Sequence, residues 1–274
     1  MKRFLSFIYK SLNHDAMKNF IGLVVLVSLV ATTACKKNPE LPAPVDRSTV
    51  RVKTMVYKDS AGTVRANYTF FYDGSGRLVR MNTYQASPGY TYVYRYKYLP
   101  NTIIEEISDT ALVLEQRTTY TLNANGLIAS GIQKYYTHTG DSTWMYNFTY
   151  QYNADGFLVG SKWSFRVDTL SSTTQTWQIS GGNIISYADY DYYSHLILSE
   201  TYDYYPNTTS TTGNINLGRA YLGKSSTNLV KTTTVNNDPF STATCNYTFD
   251  SNNRESSVAI SNAYGRYSLW FTYY

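Results

Sequence analysis

Cysteine and histidine are almost missing from this 274-residue chain. The two cysteines are Cys35 and Cys245. Cys245 stands alone in a strand-like run, so no disulfide framework holds the body together, and its plain role is that of a small buried hydrophobe. The 240 residues from Cys35 onward are enough to bury a sizeable core without one. Two histidines, His138 and His195, follow Cys35. There is no G-x-S-x-G, no H-E-x-x-H and no phosphate loop, which removes the readable signatures of serine hydrolases, zinc proteases and nucleotide enzymes. No amphipathic helix stands out. An excess of one charge is missing too. The chain carries +5, but residues 1–34 hold Lys2, Arg3, Lys10 and Lys18 against Asp15, so their removal leaves 20 basic and 18 acidic residues. No Lys/Arg cluster remains in the sequence that marks a nucleic-acid footprint.

What is abundant is tyrosine, 29 residues, together with threonine, a composition that favours strands. The stretch Tyr150-Gln151-Tyr152-Asn153-Ala154-Asp155-Gly156-Phe157 reads as strand, turn, strand. Tyr150 and Tyr152 share a face. Asn153 opens a turn by bonding its own backbone, and Gly156 closes it at positive φ, a type I turn with a left-handed glycine bulge. Asp73-Gly74-Ser75-Gly76, Asn123-Ala124-Asn125-Gly126 and Asp250-Ser251-Asn252-Asn253 repeat the form. Each follows large residues in the same register: Phe70 and Tyr72, Tyr120 and Leu122, Tyr247 and Phe249. Weaker marks at Pro100-Asn101, Gly181-Gly182-Asn183 and Pro206-Asn207 fill in a spacing of roughly 25 to 30 residues, one hairpin per unit.

The N-terminus sets the address. Residues 1–34 read as an export signal rather than fold. Phe20 to Ala31 is apolar apart from Ser28 and runs into Thr32-Thr33-Ala34-Cys35. This resembles a bacterial lipoprotein signal, which implies lipidation of Cys35; an ordinary cleaved signal and an uncleaved anchor helix are the alternatives. Thr32 stands where such signals usually carry Leu. Met17-Lys18-Asn19 is an alternative start. Residues 35–49, with Lys36-Lys37 and three prolines, read as a flexible tether. Some surface-exposed lipoproteins carry an acidic run there instead, so the lysines lean the reading to the periplasmic side and leave the facing direction open.

Residues 50–274 read as one all-β domain: hairpin follows hairpin as a long antiparallel meander of about 14 strands. A sheet that wide curls or closes, and closure into a barrel removes the exposed edges. Pro206 to Gly213 reads as a long polar loop. The segment after it, Asn214 to Lys231, with Asn216-Leu217-Gly218-Arg219-Ala220-Tyr221-Leu222-Gly223 at its centre, resembles one near the end of bacterial lipoproteins of unknown function with tyrosine-rich YD-like repeats. That group includes a family described as porin-like in fold, and the turn quartets resemble it as well. The repeats are also similar to a loose form of those in YD-repeat toxin shells, for which this chain is much too short. The terminal Phe271-Thr272-Tyr273-Tyr274 keeps an outer-membrane barrel as an alternative. Against it, Tyr92, Tyr94 and Tyr96 alternate with Val93, Arg95 and Lys97, and neither face is uniformly aliphatic as a lipid-facing side requires.

Candidate chemistry is sparse. His138 falls in an expected hairpin tip. Asp189 and Asp191 have the i, i+2 spacing of a loop cation site, with His195, Glu200 and Asp203 close in sequence, but a polar strand face explains them too. A glycosidase needs two carboxylates at a fixed separation, which the sequence neither shows nor excludes. Tyr90, Tyr92, Tyr94, Tyr96 and Tyr98 occupy alternate positions. They are expected to be core, with a glycan-stacking platform as the functional alternative. Asp59-Ser60-Ala61, Asp109-Thr110-Ala111, Asp141-Ser142-Thr143 and Asp168-Thr169-Leu170 resemble a bacterial O-glycosylation acceptor. The expectation is a lipid-anchored envelope protein, outer membrane in address, that binds or scaffolds. It is not expected to be an enzyme and needs no cofactor or metal. Its partners are expected to be the membrane, through the lipid, and a glycan or another envelope protein, with no nucleic acid. A glycan-binding or carbohydrate-active lipoprotein of an uptake system is the alternative.

Overall fold

The computed structural model describes residues 49–87, 89–137, 140, 142–165, 172–236 and 241–274. The signal, Cys35 and all of the tether but Thr49 lie outside these residues, as do His138, Asp141 and the triplet beginning at Asp168. Sixteen strands run in chain order among the described residues: β1 Val52–Lys58, β2 Val64–Tyr72, β3 Leu78–Gln85, β4 Tyr90–Leu99, β5 Thr102–Asp109, β6 Leu114–Leu122, β7 Ile128–Tyr136, β8 Ser142–Tyr152, β9 Leu158–Phe165, β10 Thr173–Ser180, β11 Asn183–Tyr190, β12 Leu196–Thr209, β13 Asn228–Val235, β14 Ala243–Phe249, β15 Glu255–Asn262 and β16 Gly265–Tyr273. Every strand pairs antiparallel with its sequence neighbours, and β1 pairs with β16, so the meander closes into a barrel. Closure leaves no sheet edge to be covered.

The closed all-β sheet is the one expected, with sixteen strands rather than about fourteen. The extra pairing lies after Tyr187. There β12 continues through Pro206 to Thr209, where a loop was expected. It does so with a large irregularity: Tyr204 pairs with Val230, but Thr209 pairs with Asn228. Pro206 has no amide to give the ladder, and Asn207 takes φ +62°, so the pairing breaks after Tyr204 and resumes at Thr209.

Turn chemistry explains the short connections. At Asp73, Oδ1 accepts the amides of Ser75 and Arg77 at 2.9 and 3.0 Å, and Gly76 N–H closes the turn onto Asp73 O at 2.9 Å. The Arg77 guanidinium then reaches back to Asp73 Oδ2 at 2.7 Å. Asp250 and Arg254 repeat this arrangement, and Asn153 forms the same turn without the arginine. Gly156 sits at φ +86°, as the repeat requires. The same device closes turns at the other end of the barrel, at Asp59, Asp109 and Asp191. Two of those place a non-glycine residue at positive φ, Leu112 at +64° and Ser194 at +65°.

One end of the barrel is crossed by residues 210–227, the link between β12 and β13. This strap contains a short 3-10 turn, Ala220–Leu222. It hydrogen-bonds around the rim. Asn216 O accepts Val52 N–H at 3.2 Å and Gly218 O accepts Leu78 N–H at 3.1 Å. Lys224 N–H donates to Gly156 O and Thr227 N–H to Gly182 O, both at 2.9 Å. Its start is held by Glu255, fully buried, whose two carboxylate oxygens accept Thr211 N–H at 2.8 and 2.9 Å. Leu217 joins the interior cluster formed by β1–β4 and β13–β16, and Tyr221 joins the one formed by β5–β8. The strap is thus part of the core as well as a cover.

The two faces of the wall differ. Inward positions carry Tyr68, Phe70, Tyr96, Tyr120, Phe148, Tyr187, Tyr202, Tyr247 and Phe271, all buried. Outward positions on β10 are Thr174, Thr176, Gln178 and Ser180, all exposed. On β14 the outward residues are Thr244, Asn246 and Thr248. The exposed aliphatic residues and Trp270 are spread around the wall: Val64 on β2, Leu99 on β4, Ile132 on β7, Ile185 on β11, Leu196 and Ile197 on β12, and Trp270 on β16. No outward apolar band exists among the described strands.

Candidate functional site

The tyrosine row of β4 runs the depth of the barrel. Tyr98 lies beneath the strap, its hydroxyl donating to Leu78 O at 2.8 Å, with the Arg77 guanidinium 4.6 Å over its ring and the Tyr221 ring 6.3 Å away. Tyr96 is buried, and Tyr94 packs against the main core cluster. Burial raises the hydroxyl pKa of both well above the usual tyrosine value. Tyr92 is half-buried, and Tyr90 at the open rim is 54% exposed, the two rings 6.0 Å apart. Three of the five rings are therefore packing groups, and Tyr90 and Tyr92 are the two that reach solvent at the mouth.

Beneath the strap, Glu105 stands directly across from Tyr96, with the Tyr120 hydroxyl donating to Glu105 Oε1 at 3.4 Å. Burial pushes the Glu105 carboxyl up; the positive charge of Arg219, reaching in from the strap, pulls it part of the way back. Burial opposes the Arg219 charge, but Tyr221, Tyr96 and Glu105 around it hold the guanidinium protonated above its ordinary value. Arg219 was not distinguishable in the sequence as a buried charge, because its segment has no period that assigns it a face.

The opposite, open half holds a second polar wall. Gln175 on β10 accepts Ser161 Oγ–H at 2.9 Å and donates to the Tyr187 hydroxyl at 2.9 Å. The Trp177 ring lies 5.4 Å from Tyr187. Strand pairing sets Tyr187 opposite Glu200, and Asp189 opposite Leu198. The two carboxylates, Asp189 and Glu200, thus share the inner face one step apart, a diagonal of about 7–8 Å between Cα atoms in such a ladder. Burial raises Asp189 to about 6, offset in part by the Tyr190 amide. Burial also raises Glu200, which accepts the Tyr202 hydroxyl.

The sequence grouping of Asp189, Asp191, His195, Glu200 and Asp203 does not survive as one site. Asp191 caps the β11–β12 turn and pairs with His195 at 3.1 Å in solvent. Asp203 is exposed and accepts Thr232 Oγ1–H. No group of three or more metal-type ligands forms among the described residues. Of the four acceptor-like triplets, those at Asp59 and Asp109 lie in exposed turns of the open end.

No family model and no curated protein matches this chain. Solved structures do. A porin-like protein from Bacteroides uniformis ATCC 8492 matches at a TM-score of 0.60 with 14% identity, over 81% of this chain and 98% of that one. A porin-like protein from Bacteroides vulgatus ATCC 8482 matches at 0.55 with 12% identity, over 82% and 99%. The chain shares the fold of these porin-like proteins. At such identity the likeness carries the architecture and leaves function to this chain's own residues.

Proposed function

We propose that the chain is a lipid-anchored cell-envelope protein whose barrel stands outside the bilayer and binds or scaffolds through its open mouth. The observation that carries this is the sidedness of the wall. A membrane-spanning barrel turns an apolar band of about 25 Å outward and keeps a polar interior; this one buries its aromatics inside and shows Thr, Ser, Lys and Arg outside. Charged residues on a lipid-facing strand cost about 2–4 kcal/mol each at mid-depth, and Arg95, Lys97 and Arg117 all sit on the outer face. Membrane attachment then falls to Cys35, which ends the signal-like run. The test is Cys35→Ala in the full chain. Release of folded protein into the aqueous fraction supports the reading. A variant that keeps normal processing and still needs detergent for extraction contradicts it.

A second reading rests on the Asp189–Glu200 pair beside Trp177 and Tyr187: an aromatic and carboxylate wall suits a sugar ring, and two carboxylates at such a separation suit glycoside hydrolysis. Oligosaccharide turnover abolished by Glu200→Gln or Asp189→Asn supports it. Binding retained with no turnover by the parent protein assigns the wall to recognition alone.

A further inference from the structure

At the open half, the inner wall from β9 to β13 carries two carboxylates and, among its described residues, no base. Pairing sets Ser161 opposite Gln175 and Gln175 opposite Asp189. One step along, Trp177 stands opposite Tyr187 and Tyr187 opposite Glu200. The two lysines of these strands point the other way: Lys162 is exposed opposite the exposed Thr174, and Lys231 is exposed on β13. Asp189 is 8% exposed, and its Oδ1 is buried with no hydrogen-bond partner. Gln175, directly across, does not serve it, because its carbonyl accepts Ser161 and its amide donates to the Tyr187 hydroxyl. Glu200 accepts the Tyr202 hydroxyl at Oε2. It lies near enough for its charge to act on the hydroxyl of Tyr267 on β16 as well. Asp189 is one residue from the end of β11 at the mouth, so the pair stands where a ligand enters.

We infer that this wall binds a primary ammonium group on a small organic ligand, with Asp189 and Glu200 as its acceptors and the Trp177 and Tyr187 rings beside it. The inference rests on the reading of this wall as a recognition surface and does not depend on the lipid anchor. Charge complementarity selects a cation. A buried carboxylate is costly until a positive group meets it, and this wall supplies none. The kind of cation follows from the acceptors. Calcium takes six or more oxygens, and no group of three metal-type ligands forms among the described residues. A guanidinium takes both oxygens of one carboxylate in a planar fork. Here the Tyr202 hydroxyl holds one oxygen of Glu200, and the Tyr190 amide lies at Asp189. A primary ammonium is a compact charge with three donors. The diagonal of about 7–8 Å between the two Cα atoms lets it lie between the side chains, and the rings attract the charge from the side. A neutral sugar offers hydroxyls to the carboxylates but leaves their charge uncompensated. Amino sugars and polyamines both carry the group.

The experiment titrates the full chain by calorimetry with tetraglucosamine, its fully N-acetylated counterpart and spermidine. Saturable binding of an amine probe is expected. The N-acetylated tetramer keeps the rings and loses the charge, so it is expected to bind more weakly than tetraglucosamine by about tenfold or more, the loss of hydrogen bonds to charged groups. Asp189→Asn and Glu200→Gln keep the shape of the wall and remove charge. Each is expected to weaken amine binding by about tenfold and to leave the N-acetylated tetramer unaffected. Asp203→Asn, on the outer face against Thr232, leaves every affinity intact. Tight tetraglucosamine with weak spermidine supports the site and assigns it to amino sugars; tight spermidine with weak tetraglucosamine supports it and assigns it to polyamines. Equal binding of the free and N-acetylated tetramers, with spermidine inert, overturns the inference and leaves the wall a surface for neutral sugars. Amine binding unchanged in both carboxylate variants, or displaced by equimolar calcium, also overturns it. Absent binding of all three probes overturns the recognition surface as well.

Discussion

Replacing Gly218 by Ala is expected to unseat the strap. Gly218 sits at φ +67°, and a Cβ there meets Leu78 N at 2.6 Å, Tyr72 Cε1 at 2.8 Å and Gly76 O at 2.9 Å. Two of those three atoms are backbone of the β2–β3 turn and cannot swing aside. The left-handed conformation costs an L-residue about 1–2 kcal/mol. Forcing a methyl into a packed contact costs about 1–3 kcal/mol more. Alanine returns about 0.4–1 kcal/mol by stiffening the unfolded chain, which leaves a net loss of about 1–5 kcal/mol. For a body of this size that is a fall of roughly 2–20 °C in melting temperature. Gly156→Ala is the control: its φ is +86°, but the only atom near the new Cβ is Leu127 Cδ1 at 3.9 Å, so it bears the strain alone and loses about 1 kcal/mol. Thermal melts rank the two variants. Hydrogen exchange locates the effect, because the amides of Val52 and Leu78 donate to the strap and lose protection only if it lifts. Equal melting of the two variants, with those amides still protected, refutes the docking of the strap as an energetic unit.

Leu112 is 62% exposed and sits at φ +64°, so Leu112→Gly is expected to raise stability by up to about 1 kcal/mol, read as a higher urea midpoint; a lower midpoint rejects the turn geometry. Asp189 is raised to about 6 by burial, so the folded state holds its proton more tightly than the unfolded one. Its contribution is therefore most favourable below about pH 4 and is lost as pH rises through 6; Asp189→Asn should flatten that part of the stability profile and raise the melting temperature at neutral pH, and an unchanged profile contradicts the burial. Tyr94→Ala should cost about 3 kcal/mol or more as a loss of packing, whereas Tyr90→Ala at the rim should melt normally; the reverse order in melts overturns the division of the row into core and mouth.

Much of the architecture is written locally. Alternation at Tyr68, Phe70 and Tyr72 and at Tyr150 and Tyr152 assigns strand faces, and Asp73 to Gly76 or Asn153 to Gly156 carries its own turn chemistry. Closure follows from many short antiparallel links with nowhere to place an edge. Leu112 and Ser194 escaped because a turn identified by its glycine hides where the capping Asp alone holds the backbone. The continuation of β12 past Pro206 escaped because proline argues against a strand, and only pairing with β13 outweighs it. Arg219 and Glu105 face each other from segments more than a hundred residues apart, so no local pattern joins them. The outward row Arg80, Arg95, Glu106, Arg117 and Lys134 across β3 to β7 is a product of register: each charge is unremarkable on its own strand, and strand pairing alone brings them together. Asp189 and Glu200 likewise meet only because Tyr187 pairs with Glu200.

The most direct measurement of where the barrel stands is thiol labelling in native membranes. Asn67→Cys, Thr176→Cys and Thr244→Cys place single thiols on outward positions of β2, β10 and β14, and the one other thiol of the described body, Cys245, is buried. A barrel held off the bilayer exposes all three to water, so a hydrophilic maleimide labels each at the same rate before and after detergent is added. Protection of these positions in the membrane, relieved only by detergent, contradicts the account.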